Sequence, residues 1–68
     1  MDQETFNLSI RKFLKMVGVN SQREIEQAVQ QALAARKLSG GESLPAHVTL
    51  EIPQIGLKVP FHGEIKLK

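Results

Sequence analysis

The apolar residues of this chain change their spacing once, at the paired glycines Gly40 and Gly41. Before them apolar side chains recur every three or four residues; after them they alternate with polar ones. A 3.6-residue period belongs to helices and a two-residue period to strands, so the chain divides into a helical half and a sheet half. This predicts an α+β fold.

In the first half, Phe6, Ile10, Phe13, Leu14 and Val17 form one helical stripe, predicting a helix from about Glu4 to Val17. Asp2 suits the N-cap, Glu4 suits the positive end of the helix dipole, and Gly18 suits a left-handed C-cap. Ser21-Gln22-Arg23-Glu24 then reads as a capping box that opens a second helix. Ile25, Ala28, Val29, Ala32 and Leu33 give that helix its apolar face, Arg36 and Lys37 suit its negative end, and Ser39-Gly40-Gly41 stops it. With only Gly18, Val19 and Asn20 between them, the two helices are expected to form a tight αα-hairpin.

In the second half, Leu44, Ala46, Val48, Leu50 and Ile52 alternate with polar residues and proline, as do Leu57, Val59, Phe61, Gly63, Ile65 and Leu67. Pro53-Gln54-Ile55-Gly56 between them has turn chemistry, so the pair reads as an antiparallel β-hairpin. A register with Ile52 opposite Leu57 places Leu50 opposite Val59, Val48 opposite Phe61, and Glu51 opposite Lys58 on the other face. If Ile52–Leu57 is a hydrogen-bonded pair, Pro45 and Pro60 fall at non-hydrogen-bonded pairs, where a missing N–H costs the hairpin nothing. Each half has one apolar face to cover, so the expected architecture is a two-layer ααββ domain over residues 1–68. In it the αα-hairpin packs on one face of the β-hairpin and roofs Val48, Leu50, Val59 and Phe61.

Composition narrows the function classes. The chain has no cysteine, which removes disulfides, thiolate metal sites and cysteine nucleophiles. Its acidic start, Met1-Asp2-Gln3-Glu4, is unlike a signal peptide, and no apolar run approaches the roughly 20 residues that span a bilayer. A cytoplasmic protein without membrane association is expected. The net charge is only +2, a small footprint for a nucleic-acid binder. Three phenylalanines without Trp or Tyr make a poor platform for stacking bases.

Phe6-Asn7, Ser9 to Lys15, Val17-Gly18-Val19 and Ser21 to Glu26, followed by Ala28-Val29, resemble the opening of a small bacterial protein family of unknown function. Gly63-Glu64-Ile65 also resembles it. The resemblance implies a stand-alone bacterial protein and brings no activity, substrate or functional residue.

Several constellations hold residue types that could carry chemistry. The αα-hairpin outlines a helix–turn–helix, with Gln22, Arg23, Glu26, Gln27 and Gln30 on its exposed face, but Glu26 repels phosphate and the apolar spacing is offset by one residue. Arg11, Lys12 and Lys15 cluster on the first helix, where a solvated face is the plainer reading. His47 and His62 face one another in the register above; with Glu64 nearby they offer an alternative metal site that no spacing motif supports. No serine or threonine sits in a nucleophile elbow, and Ser39-Gly40-Gly41 lacks the lysine of a phosphate-binding loop. The sequence therefore calls for no catalytic residue and no cofactor, and argues against an enzyme.

The preferred expectation is a small protein-interaction module, homodimeric or with a protein partner. Its candidate contacts are Ile55 at the turn tip and the C-terminal strand, whose last residues, Ile65 to Lys68, are expected to overhang the strand beside it. The alternative is a nucleic-acid-binding protein using Arg11, Lys12, Lys15 and Arg23.

Overall fold

The computed structural model describes all of residues 1–68, in two units, Met1–Lys37 and Leu38–Lys68. The first unit is a single α-helix, α1, Gln3–Ala34. The expected αα-hairpin is therefore corrected to one uninterrupted helix of 32 residues, about 48 Å long at 1.5 Å per residue.

The stripe explains why the helix continues. Val17, Ser21 and Ile25 are spaced at four and four, so the two apolar stripes of the sequence reading are one stripe carried through Ser21. Gly18 takes helical rather than left-handed geometry, and a Cβ built there would meet nothing within 4 Å. A mid-helix glycine costs only about 1 kcal/mol against alanine. That is too little to stop a helix whose neighbours on both sides are good formers.

Both ends of α1 have identifiable caps. Asp2 lies in the extended region, and its carboxylate accepts hydrogen bonds from the Glu4 N–H at 3.0 Å, the Thr5 N–H at 3.4 Å and the Thr5 hydroxyl at 2.9 Å. At the other end, Lys37 N–H donates to the Ala32 carbonyl at 2.8 Å and Arg36 N–H to the Leu33 carbonyl at 3.1 Å. This is a Schellman closure, with Arg36 (φ 60) in the left-handed position that usually takes glycine. The helix thus stops before Arg36, earlier than the Ser39-Gly40-Gly41 signal suggests.

The Thr5 hydroxyl, then the Thr5 and Glu4 N–H groups, hold the Asp2 carboxyl below its ordinary value of 3.8. A depressed carboxylate stabilises the fold above its unfolded value and loses that contribution as pH falls through the folded one. Helicity near the N-terminus should therefore decline as pH drops through and below 3.8. Asp2→Asn, which still caps, should keep the helix and flatten that decline; Asp2→Ala should weaken the helix at every pH. Far-UV circular dichroism against pH, read for all three chains, checks this.

The second unit is a β-hairpin of β1 (Ser43–Ile52) and β2 (Leu57–Lys66), joined by a 3₁₀ turn over Pro53–Ile55. Gly56 closes the turn at φ 68, with its N–H on the Pro53 carbonyl at 3.1 Å. The register is the one the sequence gives reason to expect: Ile52 opposite Leu57, Leu50 opposite Val59, Val48 opposite Phe61, Glu51 opposite Lys58. The Leu67 N–H donates to the Glu42 carbonyl at 3.0 Å, which makes Glu42–Leu67 a hydrogen-bonded pair. By alternation, Pro45–Glu64 and Thr49–Pro60 are non-hydrogen-bonded pairs, so neither proline removes a bond from the ladder. That same bond carries the ladder through Leu67, so the expected overhang of Ile65 to Lys68 is not present.

In neither unit is any residue buried. Along the hairpin, Leu44, Ala46, Leu50, Leu57, Val59 and Ile65 are half-buried and share one face. Val48 is 53% and Phe61 58% exposed. Alternation identifies which face is apolar, not what covers it. No helix is long and apolar enough to cross a membrane.

Candidate functional site

Two side-chain clusters deserve description, one on each unit. On α1, Lys12, Lys15, Met16, Val19, Asn20 and Arg23 line a shallow, open depression. Their spacings of three, four and seven or eight place them along one face of a continuous helix. Arg23 joins Lys12 and Lys15 only because no turn intervenes, so this three-cation face is invisible to a reading that assigns Arg23 to a second helix. Arg11 is not among the residues of the depression. The helix–turn–helix outline disappears with the αα-hairpin.

The apolar stripe of α1 is the larger feature. Phe6, Ile10, Phe13, Leu14 and Ile25 all remain exposed, Phe13 by 46%. Val17, Ser21, Val29, Ala32 and Leu33 are half-buried. The sequence reading found the apolar members of this stripe and took them for core, but read Ser21 as the cap of a second helix.

On the hairpin, His47 and His62 are directly opposite at a non-hydrogen-bonded pair, where side chains approach most closely. Their ring centroids are 6.0 Å apart and tilted by 40°. Glu64, the third ligand considered from sequence, instead accepts from the Ser43 hydroxyl at 3.0 Å. No group of three or more His, Asp or Glu is placed to hold a metal ion. Ile55 stands at the turn tip, 71% exposed.

The connector carries one organised feature. The Glu42 carboxylate accepts from the Ser39 N–H at 2.8 Å and the Gly40 N–H at 2.9 Å. Those two bonds hold its carboxyl below the usual 4.5. They tie the glycine-containing segment to the residue that precedes β1 and occupy the N–H groups of Ser39 and Gly40.

No curated protein and no solved structure matches this chain. One family does, and its sequence profile spans residues 1–68: the chain belongs to the family of unknown function DUF6494.

Proposed function

We propose that this protein is a small, non-enzymatic protein-interaction module that acts as an assembled species. One observation supports the reading above others: large apolar side chains are exposed along both units while none is buried. A lone two-stranded hairpin is marginal in water, and most helical stability in proteins comes from packing an apolar face. Association supplies what each unit lacks.

Light scattering during size exclusion tests the reading. A mass at a multiple of 7.6 kDa is the expected result. A monomer at that mass with a sharp, cooperative unfolding transition would contradict it.

A second reading, nucleic-acid binding, draws on the Lys12, Lys15 and Arg23 depression. It expects salt-dependent binding of an oligonucleotide that Lys12→Glu with Lys15→Glu removes. Unchanged fluorescence anisotropy of a labelled oligonucleotide at low salt would eliminate it.

A further inference from the structure

We propose that His47 and His62 form a two-imidazole chelate for a divalent transition metal of the zinc type, with one ligand from each strand of the hairpin. The pair lies wholly within the second unit and is present in a monomer and an assembled chain alike.

The register brings the two rings together. His47 stands opposite His62 on the polar face, at a non-hydrogen-bonded position, where paired Cα atoms come within about 4.5 Å and side chains lie closest. The ring centroids are 6.0 Å apart. Zinc–imidazole bonds of about 2.0–2.1 Å set the centroids of two rings on one tetrahedral metal about 5 Å apart. The rings must therefore close by about 1 Å, and rotation about their own torsions supplies this, because both side chains are exposed.

The surroundings on the hairpin suit a cation. Beside the histidines the next pair is Pro45 with Glu64 on one side and Thr49 with Pro60 on the other, so neither row holds a Lys or Arg. The basic residues of β2, Lys58 and Lys66, each lie four residues from His62. That is about 13 Å along the strand, more than the screening length of about 8 Å at physiological salt. Glu64, the one charge in an adjacent row, is negative. Its carboxylate accepts from the Ser43 hydroxyl at 3.0 Å, which makes it a neighbouring charge and not a third ligand.

The donor set selects the metal. Neutral imidazole suits zinc, copper and nickel, whereas magnesium and calcium take oxygen ligands. Two protein ligands leave the other positions to water, so the site is weak and exchangeable. Because the ligands sit on opposite strands, a metal held by both favours the paired hairpin over the opened one.

The chain has two histidines and no cysteine, so the histidine ring protons report this site directly. Zinc chloride titrated into the full chain should shift both rings along one binding curve, at one metal per chain, in proton NMR. His47→Asn and His62→Asn should each weaken binding by about tenfold or more, since even the outer partners of a metal are worth that. Zinc should also slow amide exchange at Val48 and Phe61, the pair beside the histidines, in the parent and in neither variant; magnesium should slow it in none. Rings that stay unmoved at millimolar zinc, rings that shift on two separate curves, or a variant that binds as tightly as the parent would overturn the chelate. Amide exchange without metal shows whether each variant keeps its hairpin; where one does not, the parent's two ring curves decide, a common curve for the chelate and separate curves against it.

Discussion

Val19→Pro should lower the helical signal sharply and destabilise the protein by about 3 kcal/mol or more. Val19 sits inside α1, so proline removes its N–H bond to the carbonyl four residues earlier and sets its ring against that carbonyl. Had Gly18, Val19 and Asn20 formed a turn between two helices, the same substitution would be close to neutral, because proline is at home in turns. The comparison is made by circular dichroism and urea unfolding at equal concentration. A Val19→Pro chain with unchanged helicity and stability would restore the αα-hairpin.

The second large effect is expected from Phe13→Glu. Phe13 is 46% exposed and belongs to the apolar stripe of α1. On an assembly face built from that stripe, two copies bring two carboxylates among apolar side chains and lose two phenylalanines, each worth about 3 kcal/mol or more when truncated from a core. A loss of roughly 6 kcal/mol per pair raises the dissociation constant by about four orders of magnitude. The variant should therefore elute as a monomer with much reduced helicity at concentrations where the parent is assembled. Met16→Glu is the control. Met16 lines the shallow depression on another face of α1, and its substitution should leave the assembled mass unchanged. Equal dissociation by both variants, or by neither, would detach the stripe from assembly.

These two residues also mark where the sequence is informative and where it misleads. The hairpin is legible down to its register, because proline and glycine have positional meaning in a sheet. Only one alignment puts Pro45 and Pro60 at non-hydrogen-bonded pairs, Gly56 at a left-handed position and the alternating apolar residues on one face. Both halves of α1 are legible from periodicity; their junction is not. Gly18 and the Ser21 to Glu24 segment are local stop and start signals worth about 1 kcal/mol each. The continuous phase of Val17, Ser21 and Ile25 is a property of the whole helix and outweighs them. Arg36 is the converse case: nothing in its side chain announces a left-handed C′ residue, yet the Schellman bonds close there.

The candidate site follows the same division. Lys12 and Lys15 are neighbours in any helical reading, whereas Arg23 reaches them only along an unbroken helix. His47 and His62 face each other as the register requires. What periodicity leaves open is the identity of the surface covering an apolar face. Val48, Phe61 and the stripe of α1 have the pattern of core residues, and pattern alone does not name the surface that covers them.

If these two units gain their packed interior only by joining another copy, folding and association are one event and stability must follow protein concentration. The deciding measurement is the thermal unfolding midpoint, followed at 222 nm over a hundredfold range of concentration. The midpoint should climb steadily as the solution is made more concentrated. A midpoint that stays fixed across the whole range, in a sample weighing 7.6 kDa throughout, would mean that one chain holds itself together.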